Sequence, residues 1–164
     1  MMETDIILKL GNELTIRRYL FDKLQVSHLL TAPDYIALYI INETSGQQNI
    51  HAGKTYLKDL SERMQLSIRK TSKIVGGLKE RGLVQWLHDG DGSEGTYVTI
   101  TEEGIELLKK QQEVIQTYYG KVIHKFGTEN LVQLLNLMKQ LETIMSSEIE
   151  EWEEEEDDDF TEIE

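Results

Sequence analysis

Arg69, Lys70 and Lys73, set among Ser67, Thr71 and Ser72, place three cations and three hydroxyls within seven residues. Guanidinium and ammonium groups can grip phosphate oxygens or guanine edges, and hydroxyls can bond to either. Ile74, Val75 and Leu78 recur beside them at helical spacing and face a core, which turns Ser67, Arg69, Lys70, Ser72 and Lys73 toward solvent. Ser67, Arg69, Lys70, Thr71, Ser72 and Lys73 are therefore the candidate contacts to double-stranded DNA. A charge run is more often a plain solvated face. Here the charge, a short helix before it and a strand after it all point to one use.

Other spacings yield less. Asp89, Asp91 and Ser93 match the first three ligand positions of an EF-hand loop, but Glu94 stands where its glycine belongs and Ile100 where its closing carboxylate belongs. The glycines of that turn are not followed by the Lys-Ser/Thr of a phosphate loop. His28, His51, His88 and His124 are scattered without zinc-ligand spacing, and the chain has no cysteine. No nucleophile elbow or triad is evident. The residues thus predict no metal, no cofactor and no enzyme activity.

The formal net charge of -13 argues against a polyanion as partner until its distribution is read. Twelve acidic residues, and no Lys or Arg, lie between Glu148 and Glu164; the remainder holds 18 acidic against 17 basic residues. From Lys54 to Arg81 eight basic residues meet three acidic ones, a local +5. Low complexity and uncompensated charge predict a disordered acidic tail over 154–164. The longest wholly apolar run, Tyr35 to Ile41, is too short to span a membrane, and the acidic N-terminus lacks a signal peptide's basic region. The expected location is the cytoplasm.

The elements that position the cluster follow from periodicity. Ile7, Leu10, Leu14, Phe21 and Leu24 form an apolar stripe on a helix over about 4 to 30. Pro33 suits the first turn of a second helix and Gly46 its stop. Thr55 is a candidate cap for a helix over 56 to 64, Ser67 for one reaching Arg81, and Gly82 ends the latter. "LVQWLH" and "TYVTIT" read as two strands around the turn "DGDGSEG". Thr101 with Glu102 and Glu103 opens a long helix to Phe126. Thr128 opens another, in which Leu131, Leu134, Met138, Leu141, Met145 and Trp152 make a heptad seam for a second helix. The fold class is mainly α with a small β-hairpin: a winged helix-turn-helix over 31–103, flanked by dimerisation helices at 1–30 and 104–153.

"LKDLSERMQLS", "KIVGGLKERGLVQ" and "TITEEG", with this element order over about residues 4 to 150, resemble the MarR family of bacterial transcriptional regulators. The resemblance implies a homodimer joined through its terminal helices, with two winged modules on a pseudo-palindromic duplex. It also implies a small-molecule site between dimer helices and module, for which His28, Tyr35, Tyr39, Tyr118 and Tyr119 are the candidates; core-lining tyrosines with wet hydroxyls would look the same. Two departures stand out. Gly76–Gly77 replace longer polar residues in the recognition helix, and the wing carries Asp89, Asp91 and Glu94 with no Lys or Arg. A narrow minor groove attracts cations, so contact by this wing is not expected. The acidic wing and tail favour the alternative, a winged-helix protein-interaction module that has lost DNA binding; the +5 segment favours the regulator.

Overall fold

The computed structural model describes residues 2–24, 29–46, 53–88, 90 and 95–161, the last eight by backbone alone. The elements are α1 (Met2–Lys23), α2 (Ala32–Gly46), β1 (Thr55–Tyr56), α3 (Leu57–Met64), α4 (Ile68–Glu80), β2 (Val84–His88), β3 (Thr96–Ile100), α5 (Glu102–Phe126) and α6 (Thr128–Thr161). By contacts the chain divides into two compact units, Met1–Thr117 and Tyr118–Glu164.

The core of the first unit gathers Leu30, Ala37, Leu38, Ile40 and Ile41 with Leu57, Leu60, Val75, Leu78, Leu83, Val84, Val98 and Leu108. It thus draws on α2, α3, α4, both long strands and the start of α5. The helix-turn-helix and hairpin read from periodicity are present, in the expected order. The hairpin gains a third strand: β1 pairs antiparallel with β3, giving the order β1-β3-β2. Two residues of strand leave no periodicity to read.

Three local expectations change. Thr55 does not cap α3. It is buried in β1 opposite Val98, and Tyr56 takes the N-cap position without a side-chain bond. The first helix stops at Lys23 rather than near 30, and Leu30 lies in the core of the unit. The acidic segment expected to be disordered from 154 continues α6 to Thr161. Glutamate is a good helix former, and extending a nucleated helix is far cheaper than starting one.

Thr101 and Gly104 join the sheet to α5. The Thr101 hydroxyl donates to the Gly82 carbonyl at 2.7 Å and accepts from the Gly104 amide at 3.1 Å, while the Thr101 amide donates to Leu83 O at 3.1 Å. This brings α5 so close to the α4–β2 corner that a Cβ on Gly104 would collide with the Leu83 carbonyl and the Ile100 side chain. The glycine of "TITEEG" is there for space.

Candidate nucleic-acid interface

Helix α3 ends at Gln65, whose φ of +55° and ψ of +42° are left-handed. The Leu66 amide returns to Ser61 O at 3.0 Å and the Gln65 amide to Glu62 O at 3.2 Å, a Schellman closure that turns the chain at once into α4. Ser67 then caps α4, its hydroxyl accepting from the Lys70 amide at 3.2 Å. A cap of this kind is worth about 1 kcal/mol. The closure and the cap set where the candidate side chains stand.

Thr71, Val75 and Leu78 are fully buried, so one face of α4 is sealed against the unit. This corrects the candidate set: the Thr71 hydroxyl donates to Ser67 O at 2.9 Å and reaches no exterior partner. A threonine among cations looks like a contact in one dimension, but its place one turn before Val75 puts it inside. Ser67, Arg69, Lys70 and Lys73 are exposed and Ser72 is half-buried. Among the described residues no ion pair engages Arg69, Lys70 or Lys73. Three of the other five cations of the +5 segment are committed, while Lys58 and Lys79 are exposed. Arg63 pairs with Glu43 of α2 at 3.1 Å, Arg81 donates to Leu29 O at 3.1 Å, and the Lys54 ammonium lies 4.8 Å from the centre of the Tyr97 ring. Three of the five remaining cations therefore cluster on the first two turns of α4.

That placement opposes the helix dipole. The other five described helices carry acid in their first turn: Glu3 and Asp5, Asp34, Asp59, Glu102 and Glu103, and Glu129. Helix α4 carries none and has Arg69 and Lys70 there instead. Each such cation costs about 0.3–1 kcal/mol near a helix N-terminus. This contrast was visible in the sequence, through the residues after each cap, but emerges only when all six helix starts are compared.

Gly76 and Gly77 lie beyond the cations in a continuous helix, and a Cβ on either would meet nothing within 4 Å. No packing among the described residues requires them. The tip of the acidic wing, Asp89 and 91–94, lies outside the described residues, as does His28. Of the ligand candidates, Tyr35 and Tyr39 are neighbours on α2 with ring centres 6.3 Å apart, Tyr35 against the core and Tyr39 exposed. Tyr118 and Tyr119, both exposed on α5, meet edge-on at 5.3 Å in the second unit. No group of His, Asp or Glu that could hold a metal occurs among the described residues, and no described helix is long and apolar enough to cross a membrane.

A fully packed winged helix-turn-helix with a free cationic face on its second helix, followed by long helices, defines the class: the chain has the fold of the MarR-family regulators. Among solved structures it is similar to a mutant MarR from E. coli complexed with operator DNA, with a TM-score of 0.65 at 16% identity over 82% of this chain and 94% of that one. It is similar to a MarR family regulator from Neisseria meningitidis, with a TM-score of 0.62 at 22% identity over 87% and 95%. The PcaV transcriptional regulator of Streptomyces coelicolor, in complex with its natural ligand, gives a TM-score of 0.63 at 19% identity over 82% and 89%. In sequence the chain is 30% identical over 112 residues to the HTH-type transcriptional repressor IacR of Pseudomonas putida, a match spanning 68% of this chain and 62% of that protein, just under two thirds of its length. No family model matches the chain.

Proposed function

We propose that this chain is a transcriptional regulator of the MarR type that binds duplex DNA as a homodimer, with α4 as its recognition helix. One observation carries the reading: α4 alone among the described helices has no acid in its first turn, and it carries two cations there, exposed and outside any ion pair, where the helix dipole disfavours them. A polyanion at that end offsets the cost. The DNA complex and the repressor name among its relatives agree with it. The exposed apolar residues of α1 and α6 supply the surface for the second subunit, and duplex DNA as partner implies action in the cytoplasm. Tyr35, Tyr39, Tyr118 and Tyr119 remain the candidate contacts for a small-molecule effector, whose chemistry no charged cluster identifies.

The test is the triple variant Arg69→Ala, Lys70→Ala, Lys73→Ala. Its affinity for duplex from its own upstream region should fall, and the slope of log affinity against log salt should flatten by about one per phosphate contact removed. Unchanged affinity would take α4 out of the interface and leave the protein-interaction reading in its place.

A further inference from the structure

Ile68, the first residue of α4, is 53% exposed. Along the helix the positions that follow at steps of three and four, Thr71, Val75 and Leu78, are all buried. The core thus ends one turn short of Ile68, which belongs neither to the buried cluster nor to the apolar residues packed against it. From Gly53 to Thr101, only Ile68 and Leu87, the latter at 40%, are exposed among the described large apolar residues. Helix propensity gives no reason for isoleucine here, since a β-branched residue is a mediocre helix former. What distinguishes it is its setting: an apolar side chain bordered by the exposed Ser67, Arg69 and Lys70.

A surface with that pattern fits a polyanion that offers one apolar spot among polar ones. In the major groove of duplex DNA that spot is the C5-methyl of thymine, the apolar group in the base-edge code. The N-terminal residues of a recognition helix are those that meet base edges. We propose that Ile68 is a specificity-determining residue of α4 and packs on a thymine C5-methyl in each half-site, with the neighbouring cations fixing the register on phosphates. The proposal rests on the DNA-binding reading above and adds to it an uncharged, sequence-reading contact.

Replacing thymine by uracil deletes the methyl and leaves base pairing unchanged. A binding site is first selected from a random duplex pool with the full-length protein. Each thymine is then replaced singly by uracil, and affinity is measured for the wild type and for Ile68→Ala, which should keep its thermal midpoint because the side chain is exposed. At one thymine per half-site the wild type should lose about three- to tenfold, the range for one buried methyl group, while Ile68→Ala should be indifferent. Wild-type binding that tolerates uracil everywhere, or equal losses in both proteins, overturns the role of Ile68 while the DNA reading stands. If the triple Arg69, Lys70, Lys73 variant also binds the selected site undiminished, the reading of α4 as recognition helix falls, and this inference with it.

Discussion

The winged module and the terminal helices use apolar residues in opposite ways. In the module, Leu38, Ile41, Leu60, Leu78 and Val98 are wholly buried within one chain. Helix α1 buries none of its residues, and α6 buries none between Thr128 and Glu153. Yet α1 carries Ile7, Leu10, Leu14 and Phe21, with Leu24 just beyond it, and α6 carries Leu134, Met138, Leu141, Met145 and Trp152, all exposed, Trp152 by 71%. Apolar residues left exposed along a whole helix, at helical spacing, are the pattern expected of a helix that packs on a partner. The module buries its apolar residues within one chain, whereas the described helices α1 and α6 leave theirs exposed, the surface on which the proposed dimer rests.

The sharpest way to break that comparison is inside the module. Gly104→Ala should lower stability by about 2 kcal/mol or more, because the new methyl meets backbone at Leu83 rather than a flexible side chain. Thermal melts would read this as a lowered midpoint. A midpoint equal to the wild type's would mean that α5 can withdraw from the α4–β2 corner without cost.

Substitution in α6 should act on assembly instead. Met138→Glu with Leu141→Glu puts two charges on the heptad seam and should convert a dimer to monomers in sedimentation, with far-UV circular dichroism retaining the module's helices. Persistence of the dimer would place its interface elsewhere. DNA affinity should fall in the same variant, since two half-sites are then no longer engaged together.

The smallest effects are expected at Gly76 and Gly77. With open space at both, Gly76→Ala and Gly77→Ala should each stabilise the fold by about 1 kcal/mol through helix propensity alone. DNA affinity should be unchanged. A gain in stability with a loss of affinity would instead show that the helix backbone comes close to the duplex at these positions.

Where a signal is local or periodic, the sequence alone was sufficient. Ser67 before a polar turn gave the start of α4, Gly82 its end, Thr101 with two glutamates the start of α5, and the β-branched and aromatic residues of "TYVTIT" a strand. The +5 segment and the free cations of α4 were likewise legible, because the acid is separated from them along the chain. Tertiary structure decided matters that depend on what lies across a gap. Thr55 looked like a cap and became a strand residue, since β3 offered its backbone a partner. The first helix looked continuous to about residue 30 but stops at Lys23, and Leu30 lies in the core. Thr71 and Ile68, three residues apart on one helix, exchanged the roles their chemistry suggests: the hydroxyl is buried and bonded to its own turn, and the isoleucine stands in solvent. Side-chain type sets what a residue can bind, but burial is a property of position, and the edge of the core falls between these two.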